Sequence, residues 1–172
     1  MKALLLLFTL CIAPLAPQTA VAQETKNEDV TVYYCIRHAE KDRSNPANKN
    51  PSLTSQGQQR AQKWAKVFEN VSFDAVYSTD YNRTRQTASP TAEAQGLKLK
   101  SYNPRDLYNE SFQSCTKGQT VLVVGHSNTT PEFVNKVLDQ EKFPWIDDTN
   151  NGMLFIVTKK GETATVQVLQ ID

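Results

Sequence analysis

The chain contains only two histidines, His38 and His126, and each stands just beyond an apolar run that reads as a β-strand. His38 follows Val30-Thr31-Val32-Tyr33-Tyr34-Cys35-Ile36-Arg37, and His126 follows Val121-Leu122-Val123-Val124-Gly125. Open parallel sheets carry their ligand crevice beyond the carboxyl ends of the strands. Two imidazoles there, one preceded by an arginine, are the residue types for handling a phosphoryl group. Neutral imidazole is a nucleophile, and guanidinium holds phosphate oxygens in a planar fork.

A third chemical segment lies after another short apolar run. Ser78-Thr79-Asp80-Tyr81-Asn82-Arg83-Thr84-Arg85 opens a helix and offers two arginines, Arg83 and Arg85. The residue pattern alone leaves open which of them faces the crevice. Gly125 is expected to let the chain turn tightly after its strand. The helix beginning near Thr130-Pro131 is expected to aim its free N–H groups at the same crevice.

These residues need elements to position them. Val30–Ile36 lacks polar alternation and predicts a central strand buried on both faces. A loop rich in Asn, Lys and Pro follows from Asp42 to Pro51. Thr54 or Ser55 caps the next helix, with Ser55-x-x-Gln58 as a capping box and Ala61, Trp64, Ala65 and Phe68 as its apolar face. Phe73–Ser78 predicts a strand and Asp80–Ala88 a helix, re-capped at Ser89-Pro90 and stopped at Gly96. A half-wet strand over Leu97–Tyr102 precedes a loop with a short helix between Arg105 and Lys117. The buried strand Thr120–Gly125, a helix over Pro131–Leu138 and a hairpin around Lys159-Lys160-Gly161-Glu162 complete the chain. The alternation predicts a three-layer α/β/α sandwich, its central sheet mostly parallel with an antiparallel C-terminal edge hairpin.

Residues 1–22 read as a secretory signal peptide. Lys2 precedes a short apolar run interrupted by Pro14 and Pro17, and Ala20-Val21-Ala22 supplies the cleavage pattern. A retained anchor is the alternative. The remaining 150 residues, 23–172, are expected to form one domain and carry 18 basic and 18 acidic side chains. That balance offers no case for nucleic acid or an anionic membrane as partner. Cys35 and Cys115 could pair in an oxidising compartment, although Cys35, inside a strand, reads more simply as a buried free thiol. No Cys/His cluster has the spacing of a zinc site, so neither metal nor cofactor is expected. Sequons stand at Asn70, Asn82, Asn109 and Asn128, the last two residues from His126. A glycan there would block the crevice, which favours export to a bacterial periplasm or secretion where sequons are not read.

Taken together, Arg37-His38-Ala39-Glu40, Leu53-Thr54-x-x-Gly57-x-x-Arg60-Ala61, Ser78-Thr79 through Arg83 to Thr87-Ala88, and Val121 through Asn128 resemble the histidine phosphatase superfamily, in its phosphoglycerate-mutase-like branch 1. Ala39 replaces the family's usual glycine after the first histidine. The resemblance implies His38 as the nucleophile that becomes a phosphohistidine. It implies Arg37, Arg83 and His126 as the groups holding the phosphoryl oxygens, with Arg83 rather than Arg85 facing the pocket. The family often places an acid after the third strand. Asp106 and Glu110 are the candidates, neither in the full family motif, while Glu40 reads as orienting Arg37 or a loop amide.

The expectation is a metal-independent phosphatase acting on phosphomonoesters or phosphoprotein side chains. The short segments Asp42–Pro51 and Asn103–Gly118 imply an open crevice for a small, accessible phosphate. The alternative is a catalytically weak phosphate-binding protein of the same fold.

Overall fold

The computed structural model describes residues 30–172, so the expected signal segment and the polar stretch after it lie outside the described residues. Ten elements follow in order: β1 (Val30–Arg37), α1 (Ser55–Val67), β2 (Ala75–Ser78), α2 (Asn82–Ala94), β3 (Leu99–Ser101), α3 (Glu110–Thr116), β4 (Thr120–Gly125), α4 (Thr129–Leu138), β5 (Met153–Lys160) and β6 (Thr163–Gln170). One sheet orders them β3-β2-β4-β1-β5-β6. β1, β2, β3 and β4 run parallel, while β5 and β6 add antiparallel strands beside β1. The α/β sandwich with a C-terminal edge hairpin is the architecture the alternation predicts.

The central strands are apolar throughout because each face has its own core. Tyr33, Cys35, Val121 and Val123 point to one side, against Phe112 of α3 and Phe133, Val134 and Val137 of α4. Ile36, Leu122 and Val124 point to the other, against Trp64 and Phe68 with Ala88 and Ala92 of α2. The period of two along each strand sorts alternate residues between these clusters. Cys35 is buried in the first cluster and Cys115 is exposed, and both are free thiols. Burial pushes the Cys35 thiol well above its ordinary pKa.

Local signals explain most boundaries. Thr54 is the cap of α1: its Oγ1 accepts from the Gly57 amide at 3.0 Å, so the box expected at Ser55 and Gln58 is not the one used. α2 ends in a Schellman turn. Gly96 has φ +65°, its amide donates to the Glu93 carbonyl, and Leu97 donates to Ala92 at 2.9 Å. The expected break at Ser89-Pro90 does not occur. α2 runs through Pro90, giving up the bond to the Gln86 carbonyl, because Thr87, Ala88, Thr91 and Ala92 anchor it on both sides.

Gly57 shows how closely α1 is pulled onto the loop after β1. A Cβ there would lie 2.2 Å from the Glu40 carbonyl oxygen, whose backbone also receives the Thr54 amide at 2.9 Å. Alanine would gain up to about 1 kcal/mol of helix propensity, but a backbone collision outweighs it. Gly57→Ala is expected to cost about 1–3 kcal/mol net, by comparison with overpacked cores. Urea unfolding with an unchanged m-value checks this.

Candidate active site

The parallel register of β1 and β4 pairs Arg37 with Gly125, so both strands release their histidines at one edge of the sheet. The His38 amide donates to the Gly125 carbonyl at 2.9 Å, and the two imidazole rings meet edge to face with centroids 5.5 Å apart. Gly125 is needed for space and not for a tight turn. A Cβ there would lie 2.8 Å from both Thr130 Oγ1 and the Tyr102 hydroxyl.

His38 is 3 % exposed and fixed from several sides. Asn151 Nδ2 donates to its carbonyl at 2.8 Å, and the next amide, Ala39, donates to Thr87 Oγ1 at 2.9 Å. Its ring Nδ1 lies 2.7 Å from the Ala39 carbonyl oxygen. A carbonyl only accepts, so Nδ1 carries the proton and Nε2 keeps its lone pair. The pKa of His38 is pushed down to about 3, chiefly by burial, with Arg37, His126 and Arg83 adding to the effect against the opposing Ala39 bond. Desolvation is thus the larger cause, and the guanidiniums reinforce it.

His126 is set in the same way. Arg83 Nη2 donates to its Nδ1 at 3.3 Å, which leaves the proton on Nε2, 2.9 Å from Thr79 Oγ1. Thr79 passes the chain of donors to Thr84 Oγ1 at 2.9 Å. Burial, followed by Arg83, Lys41 and Arg37, pushes the His126 pKa down to about 4. Both imidazoles are therefore neutral at neutral pH.

A cavity of ≈ 390 Å³ opens over the two rings, lined among others by Lys41, Tyr81, Arg83, Arg105 and Asp148. Ser127, Asn128 and Thr129, at the start of α4, complete that wall and turn the positive end of the helix toward it. Arg83 lies over the Tyr81 ring at 4.5 Å, and its Nε and Nη1 are buried without a hydrogen-bond partner among the described residues. Arg85 is outside the cavity and pairs with Asp80 at 3.6 Å. The side-chain choice that the resemblance implied is the one the helix makes.

Arg37 is 1 % exposed and lies beneath the cavity rather than in its lining. Its Nη1 donates to the Asp147 carbonyl at 2.8 Å and the Asn150 carbonyl at 3.1 Å, and its Nη2 pairs with Asp148. Its Nε is buried with no partner among the described residues. The second Asp148 oxygen takes Arg43 Nη2 at 2.6 Å. Burial works against the Asp148 carboxylate, but Arg37 and Arg43 outweigh it and hold Asp148 below the ordinary carboxylate range.

The sequence reading of the acids needs correction. Glu110 begins α3 and lines a different cavity with Thr31, Lys117 and Gly161. Thr31 is at the far end of β1, six residues or about 20 Å of strand from Arg37. Asp106 is exposed, accepts from Asn109 Nδ2 at 2.8 Å and borders a third cavity with Ser101 and Cys115. From this segment Pro104 and Arg105 reach the histidines' cavity, and Asp106 does not line it. Glu40 accepts from Arg60 Nε at 2.8 Å, so it ties β1's exit to α1 and does not orient Arg37. The carboxylate at the site is Asp148, which the sequence reading missed together with Asn151 and Thr87. The polar run Asp147-Asp148-Thr149-Asn150-Asn151 before β5 was the available signal, since loops at strand ends carry function.

The model of the histidine phosphatase superfamily (branch 1) matches residues 33–104, the stretch that contains Arg37, His38, Thr79 and Arg83. The match spans 72 of the chain's 172 residues, and over that stretch the chain is similar to this superfamily. His126 lies beyond the matched stretch and is brought in by β4. Solved structures share the fold at low identity. The protein histidine phosphatase SixA in complex with tungstate has a TM-score of 0.65 at 15% identity, covering 81% of this chain and 96% of its own. Phosphoglycerate mutase from Bacillus anthracis gives 0.65 at 14%, covering 83% and 94%. A phosphoserine phosphatase mutant from Entamoeba histolytica in complex with phosphoserine gives 0.62 at 14%, covering 80% and 95%. No curated protein sequence matches the chain.

The lowered histidine values make acid stability predictable. Unfolded imidazoles titrate near 6.5, whereas folded His38 and His126 resist protons down to about 3 and about 4. Between those values the unfolded state binds more protons, so stability rises with pH. The stability these rings confer is complete above pH 6.5 and is lost as pH falls toward 4, with a slope of up to about 2.7 kcal/mol per pH unit. Denaturant melts from pH 7 to 4.5 should show it, and His38→Gln should remove about half of the slope.

Proposed function

We propose that the protein is a phosphatase that cleaves phosphomonoesters, or phosphoprotein side chains, through a phosphohistidine on His38 and with no metal. The observation that carries this reading is a neutral imidazole with its Nε2 lone pair free, set among guanidinium N–H groups that have no partner. Among the described residues Arg37 Nε, Arg83 Nε and Arg83 Nη1 are buried donors without a partner, and an anion would complete them. Those donors stabilise the charge on a transferring phosphoryl group without reorganising.

Attack by His38 Nε2 on phosphorus splits one displacement into two and leaves the phosphoryl group on the ring. Arg83 moves from His126 Nδ1 to a phosphoryl oxygen. The arriving dianion then favours a proton on His126 Nδ1, which becomes a further donor to the same group. Water completes the second displacement. The cavity's open walls suit a small phosphate or a side chain on another protein, and the N-terminal segment favours an exported enzyme.

His38→Ala should lower kcat on 4-nitrophenyl phosphate by about 1000-fold or more and abolish acid-labile, base-stable phosphate labelling of the protein. A wild type that binds phosphate but never takes the label would instead be a binding protein. Activity should be unchanged by exhaustive chelation, because guanidiniums supply the positive charge. Loss restored by a divalent ion would overturn the metal-free mechanism.

A further inference from the structure

The one carboxylate in the cavity wall lies against the arginine that the substrate needs. Arg37 offers two N–H groups on its Nε–Nη2 edge, the edge that holds carboxylates and phosphates bidentately. Asp148 occupies the Nη2 half, while the Nε half has no partner. The other edge is spent on the Asp147 and Asn150 carbonyls. A phosphoryl group can therefore engage this edge of Arg37 bidentately only by displacing Asp148 from Nη2. Asp148 lines the cavity and its side chain is 59% exposed, so it can swing without disturbing the core.

We infer that Asp148 is the proton donor to the leaving oxygen, freed for that role when the phosphoryl group displaces it from Arg37. This rests on the phosphatase reading above. Displacement takes Asp148 from its buried cation and places it beside a dianion, leaving the exposed Arg43 as its remaining partner. Both changes favour proton uptake on a carboxylate. In the first step the His38 Nε2 lone pair forms the N–P bond, the P–O bond breaks, and the leaving alkoxide takes the Asp148 proton to depart as an alcohol. In the second step water attacks phosphorus, Asp148 accepts its proton, and the N–P bond breaks to release phosphate and neutral His38. Atoms and charges balance over the two steps, and Asp148 returns to Arg37 as a carboxylate once its proton exchanges with solvent.

The test compares two leaving groups with Asp148→Asn, which keeps an acceptor for Arg37, and with Asp148→Ala. The quantity is kcat/KM, which reports cleavage of the first bond, on an alkyl phosphomonoester and on 4-nitrophenyl phosphate. Nitrophenolate departs without a proton, and an alkoxide does not. Both variants are expected to lower the alkyl-to-nitrophenyl ratio by about 100-fold, the usual contribution of a general acid. A ratio within about threefold of wild type, whether both substrates suffer or neither does, overturns the assignment to Asp148 while the phosphatase reading stands. If the wild type hydrolyses neither ester, the phosphatase reading falls and this assignment falls with it.

Discussion

Everything at the site depends on one pairing, the parallel ladder between β1 and β4. Residues more than eighty positions apart in sequence become neighbours because Ile36 aligns with Val124 and Arg37 with Gly125. A slip of one residue would exchange the two faces of β1, sending Ile36 into the wrong cluster and Cys35 into the other. The hydrophobic sorting that fills the core thus also fixes how far His38 stands from His126. The spacing of the two histidines and the packing of the core are one constraint.

Burial then sets the chemistry. The two imidazoles are kept unprotonated mainly because water is excluded from them, and the neighbouring guanidiniums reinforce that choice. The guanidiniums are tolerated at such depth because other groups answer them. Arg37 has two backbone carbonyls and a carboxylate, and Arg83 has the His126 ring and the face of Tyr81. What remains unanswered is a small number of N–H groups beside the free Nε2 lone pair of His38. An anion is the group that completes such a set.

The strands, the order of helices and the histidine pair were legible because they rest on local rules. Apolar runs marked β1 and β4, and Gly96 marked the end of α2 through a left-handed φ that glycine adopts freely. Pro90 misled for a physical reason: a missing N–H is a local cost, while the packing of Ala88 and Ala92 that holds the helix together is tertiary. The carboxylates failed similarly. Asp106 and Glu110 stand near the family's position in sequence, but the short path from β3 to α3 carries Glu110 to the opposite end of the sheet. Asp148 arrives from the loop before β5, and nothing local connects it with Arg37, 111 residues earlier. Side chains that act through long-range contacts, such as Asn151 on the His38 carbonyl, are invisible to spacing.

The two carbonyl oxygens on Arg37 Nη1 carry a consequence for how this protein could decay. Loop 147–150 is closed around that guanidinium through Asp147 and Asn150, so the arginine shapes backbone as well as offering charge. A descendant that lost the His38 imidazole would still need Arg37 to keep this loop folded. Among the described residues, the His38 imidazole has a single hydrogen bond, to the carbonyl of its own neighbour. Among descendants, the arginine would therefore outlast the histidine, and a surviving Arg37 beside a replaced His38 would mark a chain that kept the loop and lost the imidazole.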